Sequence, residues 1–131
     1  MRRNEISEHL NRLHIALASA EILFQHDKYP DVVSRAYYAI LHAARAALLV
    51  YDVVPNSHKH LRQAFGLYLV KSGEVEVEWA KILTTAYHDR ANADYLYDFD
   101  ISDENTEELI LQAKRFIDRM KTFLESKQIE L

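Results

Sequence analysis

The chain contains two glycines and two prolines in 131 residues. That scarcity constrains its fold more than any other feature. Tight hairpins and dinucleotide-binding sheets need glycine where turns enter left-handed backbone conformations, and two positions do not supply them. The expected architecture therefore has long elements and few connections, and the apolar spacing says which elements. Ile6, Leu10, Leu13, Leu17, Ala20 and Phe24 recur at intervals of three and four, marking one face of a helix over about 4–25. Tyr29-Pro30 is expected to end it. Asp31 reads as the N-cap of a second helix reaching about Tyr51, with Val33, Ala36, Tyr37, Ile40, Ala44, Ala47 and Leu48 on a wide apolar face. Its alanines permit close helix contact, so it is the expected central helix.

Beyond a loop at 52–56, Ser57 can cap a shorter helix in which Leu61, Ala64, Phe65, Tyr68 and Leu69 face inward. Ser72-Gly73 closes it with a left-handed glycine. A fourth helix follows from about Val75 into the early 90s on Trp79, Ile82, Leu83 and Ala86, then a polar and aromatic connection over 94–102. The last helix starts near Asp103. Glu104, Glu107 and Glu108 lie near its start and Lys114, Arg115, Arg119 and Lys121 further on, which suits the helix macrodipole. No repeat, linker or low-complexity stretch interrupts the pattern. The expectation is an all-α, antiparallel, up-and-down bundle of four to five helices in one domain, 1–131. Tyr37, Tyr38, Trp79 and Tyr87 are more aromatic mass than a small core readily holds, and a homodimer would absorb the surplus.

Composition removes several chemistries. Without cysteine there is no disulfide framework, thiol catalysis or cysteine-bound metal. Gly-rich phosphate loops, His-Glu-x-x-His pairs and Gly-x-Ser-x-Gly elbows are absent. No two of the seven histidines stand four apart, and none completes a Glu-x-x-His pair. No metal and no cofactor are expected. No apolar run approaches the ~20 residues of a membrane span, and the N-terminus lacks the apolar stretch of a signal peptide. The expected location is the cytoplasm, away from membranes.

Charge is unevenly placed. The net is −4, yet residues 31–72 carry five basic and two acidic residues, while 73–111 carry two basic and eleven acidic. Such a pairing builds either a polar site, a docking surface, or solvated faces of opposite sign. Three clusters carry chemistry within it. Arg35, Tyr38 and His42 stand at i, i+3 and i+7 on one face of the central helix. They form either a polar stripe toward a cleft or a set of satisfied half-buried groups, with Arg35 paired to the acidic segment. His58, Lys59 and His60 open the third helix, where backbone N–H groups favour anions, or they belong to a capped surface turn. Arg90 and Asp94 stand at i, i+4 beside Asn92, Tyr95 and Tyr97. They make an ordinary salt bridge, or Arg90 is aimed into a cleft as a phosphate ligand.

Three stretches together resemble the HEPN family of small helical domains. They are Ser34-Arg35-Ala36-Tyr37-Tyr38-Ala39 with His42-Ala43-Ala44-Arg45, then His58-Lys59-His60-Leu61 through Phe65-Gly66 to Gly73, then Arg90 to Asp94-Tyr95. The resemblance spans the chain and implies a four- or five-helix bundle that usually forms a homodimer, with an RNA or nucleotide role. Many such proteins are metal-independent ribonucleases and toxins, often paired with a minimal nucleotidyltransferase as antitoxin. Their signature is an arginine and, after four to six residues, a histidine. The arginine would hold the scissile phosphate and the histidine would assist proton transfer at the 2′-hydroxyl. Arg90 matches the arginine. Tyr95, Leu96 and Tyr97 occupy the histidine's positions, and a tyrosine with a pKa near ~10 is a poor base at neutral pH. His88 lies about 160° around the helix from Arg90, which leaves His42 or His58, from other helices, as replacement bases.

The resemblance thus implies that Arg90 contacts phosphate, that Asp94 orients it, and that Tyr95 hydrogen-bonds or stacks. Arg35, Tyr38, His42, His58, Lys59 and Asn92 would be supporting groups. Some family toxins carry Arg-x4-His-x-Tyr, and the partner enzyme adenylylates that tyrosine. Tyr97 keeps its position. The readings are an RNA- or nucleotide-binding component of a toxin–antitoxin pair, a ribonuclease with a displaced base, or a non-catalytic interaction module.

Overall fold

The computed structural model describes residues 2–95 and 101–131, with the side chain of Tyr95 outside the description. Among the described residues the elements are helical throughout: α1 (Arg3–Gln25), α2 (Tyr29–Leu49), α3 (His58–Phe65), a π-helical turn (Gly66–Val70), α4 (Val77–Tyr95) and α5 (Asp103–Ser126). No described helix is long and apolar enough to cross a membrane. The all-α bundle expected from the sequence is the architecture found.

The α1–α2 hairpin is the most extensive packing seam, and α2 also meets α3, α4 and α5. A one-sided stripe does not account for α2, because 13 of its 21 residues are buried. Ala36, Ala39, Ala43, Ala44, Ala46 and Ala47 are all at most 2% exposed. Methyl side chains on several faces let neighbouring helices approach the α2 backbone closely. The larger side chains come from around it: Ile6 and Leu13 from α1, Leu61 and Phe65 from α3, Leu83 from α4, and Phe116, Met120, Phe123 and Leu124 from α5. Tyr37 is 2% exposed, while Tyr38, Trp79 and Tyr87 pack partly buried against the core. Of the four aromatics, Tyr37 alone is thus fully enclosed by this chain's own core.

Helix ends depart from the sequence reading in an instructive way. Tyr29-Pro30 does not stop α1; it opens α2, with Lys28 as N-cap and Pro30 in the first turn. Proline is tolerated there because its missing N–H has no intrahelical partner in any case. Asp31 is thus a first-turn acid rather than the N-cap. The left-handed residues that follow α1 and α2 are Asp27 (φ 59°) and Asp52 (φ 58°). Aspartate is among the few residues that enter this region readily, and it does here what glycine does in most chains. Gly73, at φ 85°, closes the π-turn as expected.

Ser57 and Ser102 cap α3 and α5, their hydroxyls accepting the backbone N–H of His60 and Asn105 at 3.1 Å each. Between Phe65 and Leu69 the helix widens, with Lys71 N–H bonded to the Gly66 carbonyl at 2.8 Å. The wider turn sends Leu69 inward and leaves Tyr68, expected inside, 40% exposed against Tyr51.

Candidate functional site

Adjacent residues on α2 face different polar neighbourhoods. The Tyr37 hydroxyl lies 2.5 Å from Nδ1 of His58, the first residue of α3. The His58 ring is 5.3 Å from that of Tyr87 on α4, and the Arg62 guanidinium lies 4.2 Å above Tyr87. Three helices thus converge on one aromatic and imidazole cluster.

Tyr38 extends this cluster outward. Its ring centre is 5.6 Å from that of Tyr37. From α4, Arg90 Nη2 donates to the Tyr38 hydroxyl at 3.4 Å. The Arg90 guanidinium lies 5.8 Å from the Tyr38 ring centre, and that of Arg35 lies 5.1 Å from it.

Arg90 is neither a plain surface ion pair nor free. Its Nε is 3.1 Å from Asp94 Oδ2, which is ion-pair distance. The N–H does not align on that oxygen, and Nε has no hydrogen-bond acceptor among the described residues. Arg45 Nε and Arg62 Nη1 are likewise buried without a described acceptor. An unmet buried donor costs about 1–3 kcal/mol, so these guanidinium groups favour an anionic guest.

Electrostatics set the protonation of the cluster. Burial lowers the pKa of His58 below 6.5, and the cationic charges of Arg90, Arg45 and Arg62 lower it further. Burial pushes the Tyr37 hydroxyl up to about 12, against the pull of Arg90 and Arg62. At neutral pH the imidazole is uncharged and the phenol keeps its proton. In one tautomer Tyr37 donates to Nδ1. In the other, Nδ1–H donates to the phenol oxygen and leaves a lone pair on Nε2.

The remaining sequence expectations separate. His42 does not join Arg90; its Nδ1 lies 3.0 Å from Nδ1 of His9 on α1. The i+7 spacing was read correctly, but α1 captures the ring. Arg35 stacks on Tyr38 and, among the described residues, has no carboxylate partner in the acidic segment. Lys59 is exposed, and His60 Nδ1 pairs with Asn56 Oδ1, so the start of α3 outside His58 is a capped surface turn. Asn92 is half-buried two residues beyond Arg90, on another side of α4. Tyr95 is the last residue of α4; its side chain, and Tyr97 entirely, lie outside the described residues. Sequence reasoning missed Arg62, which lies over Tyr87 within the cluster, and Arg45, which lines the neighbouring His9 side and whose charge reaches His58. The signal was the basic segment 31–72, which holds them both with only two acids.

Three half-buried histidines and the exposed His14 make a pH prediction. His42 is held at about 4, chiefly by burial, then by His9, Arg45 and Arg12. His9, His14 and His58 are also lowered, chiefly by burial. The unfolded chain therefore binds protons first as pH falls. The stability these groups contribute is complete above about 6.5 and is lost on acidification toward about 4. Asp89, raised by burial, opposes this only at the acid end. The melting temperature should fall between pH 7 and pH 5, and less steeply in His42→Gln; equal slopes in the two proteins would refute it.

The HEPN domain pattern matches residues 6–123, a span that takes in every described member of the cluster. The chain belongs to the HEPN family. Two relatives are proteins of Methanocaldococcus jannaschii that carry the name "putative toxin". The chain is 39% identical to one over 122 residues, 93% of this chain and 90% of that protein. It is 28% identical to the other over 127 residues, 97% and 86% respectively. A UPF0332 protein of Gloeobacter violaceus is 31% identical over 116 residues, 88% and 92%. Within this HEPN domain Arg90, Tyr38, Tyr37 and His58 form a continuous contact chain across three helices.

Proposed function

We propose that this HEPN chain is the toxin member of a two-protein pair, binds RNA through its phosphates, and is restrained by a nucleotidyltransferase partner. The observation that carries the reading is the seating of Arg90. Its guanidinium rests on Tyr38 with a buried, unaligned N–H, near an uncharged His58 and a second guanidinium at Arg62. Guanidinium forks suit phosphate oxygens. The names of the Methanocaldococcus relatives support the toxin role. Cytoplasmic location and a homodimer bringing two Arg90 sites together belong to the same reading.

A metal-independent ribonuclease is the second reading, and the Tyr37–His58 pair favours it. With Nδ1–H on Tyr37, His58 Nε2 takes the 2′-hydroxyl proton. The 2′-oxygen then bonds to phosphorus, and the 5′-oxygen leaves with a proton from water. Arg90 holds the phosphate oxygens as charge builds on them.

The test is binding of a 2′-O-methyl oligouridylate, which cannot be cut, alongside cleavage of unmodified RNA in EDTA. Binding should weaken with salt, with a slope of roughly −0.7 per phosphate contacted. No binding at about 50 mM salt would overturn the reading. For the partner, incubation with ATP and a nucleotidyltransferase should add one adenylyl group to the peptide carrying Tyr97; mass spectrometry showing that peptide unchanged would count against it.

A further inference from the structure

The Arg90 cluster leaves unused the groove on the other side of Tyr38. This groove lies between α1 and α2 and encloses about 260 Å³. Arg12, Ile15 and Ser19 line it from α1, and Arg35, Tyr38 and His42 from α2. No carboxylate lines it. Arg12 pairs with Glu8 one turn away at 2.7 Å, an exposed pair that a stronger anion displaces at little cost. Arg35 has no ion-pair partner among the described residues and lies on the Tyr38 ring.

Two features connect the groove to the first site. Tyr38 is a shared wall, with the Arg35 guanidinium 5.1 Å from its ring centre and that of Arg90 5.8 Å from it. The groove side also offers donors. Where His9 Nδ1–H donates to His42 Nδ1, the neutral His42 ring carries its proton on Nε2, and Ser19 offers a hydroxyl. Beside them Ile15, 67% exposed, presents an apolar surface. Cations for phosphates next to apolar or aromatic surface for bases are what an unpaired strand needs.

We propose that this groove is a second phosphodiester subsite, which holds the nucleotide adjoining the one at Arg90 on the same single RNA strand. Arg12 and Arg35 neutralise its phosphate, Ser19 and His42 Nε2 hydrogen-bond to it, and Ile15 carries the base. Tyr38 separates the two nucleotides. The proposal rests on the RNA-binding reading above and gives it a path: the strand crosses from α4 over Tyr38 into the α1–α2 groove.

The experiment compares wild type, Arg35→Ala, Arg12→Ala with Arg35→Ala, and Arg90→Ala. Two probes are used, uridine monophosphate and a 2′-O-methyl oligouridylate of about eight nucleotides. Arg12 and Arg35 are exposed, so these variants should keep the wild-type circular dichroism and melting curve. Each groove arginine removed should weaken the oligonucleotide at least about fivefold, and the double variant, which leaves the groove's one phosphate without a cation, should reduce the salt slope by about 0.7. Uridine monophosphate, which fills the Arg90 site alone, should bind them as it binds wild type. Arg35→Lys should retain the salt slope. Oligonucleotide binding that Arg90→Ala abolishes and the groove variants leave intact would overturn the proposal and leave the RNA reading standing, with the groove free to face an acidic protein. Equal loss of both probes in the groove variants would overturn it too, because the groove would then hold the first nucleotide. Absence of any RNA binding by wild type would remove the RNA reading and this inference together.

Discussion

Replacing Arg90 by alanine should weaken RNA binding roughly 10- to 100-fold while leaving the fold intact. A hydrogen bond to a charged group contributes about 1.5–3 kcal/mol, which is that range of affinity. The folded state loses far less. The Asp94 contact is a misaligned i, i+4 pair, and the Tyr38 contact is long at 3.4 Å; i, i+4 helix pairs contribute about 0.3–0.5 kcal/mol. Fluorescence anisotropy for binding and thermal melting for stability separate the two effects. Arg90→Lys should fall between, because a point charge keeps the attraction and loses the fork. His58→Ala is the matching variant for cleavage: any activity in EDTA should disappear with it and persist in His42→Ala. A protein that melts several degrees lower as Arg90→Ala yet binds RNA normally would return Arg90 to a structural role.

Phe116→Ala should cost about 3–5 kcal/mol of unfolding free energy. Phe116 is fully buried on α5. Its ring lies 5.7 Å from Phe65 on α3 and 6.3 Å from Trp79 on α4. The lost side chain thus leaves a cavity where three helices meet. Domains of this size hold about 5–15 kcal/mol in total, so a large share of the stability is at stake. Urea unfolding followed by circular dichroism measures it. A loss below about 1 kcal/mol would show that the seam repacks freely.

The fold was legible because apolar spacing is a local property. The stripes on α1 and α5, and the alanine run of α2, are each visible within one segment. The misread boundaries have two physical sources. With glycine scarce, the left-handed turns after α1 and α2 fall to Asp27 and Asp52, which carry no distinctive signal in sequence, and Pro30 looked like a terminator although it opens α2. The site was legible only in part. Arg35, Tyr38 and Arg90, to which helical periodicity and family resemblance both point, do lie together. The choice between His42 and His58 depended on which helix stood opposite each ring. His9 claims one across 33 residues and Tyr37 the other across 21, and no local rule reports such pairings. Arg45 and Arg62 were hidden for the same reason: their importance is the lack of a described acceptor, which exists only in three dimensions.

The alanines of α2 set the distances of the site without taking part in it. α1, α3 and α4 each lean on a helix in which six of the 13 buried side chains are single methyl groups, so inter-axis spacing is set in part by near-backbone contact. A swollen residue at Ala39 or Ala43 would act as a wedge. It would push a neighbouring helix outward by a fraction of its own width, and Arg90 would drift off Tyr38, or His9 off His42, before the bundle came apart. The chemically blank residues are therefore the calibration of the polar ones, and damage to them would reach the proposed phosphate site as lost alignment in a molecule that still looks folded.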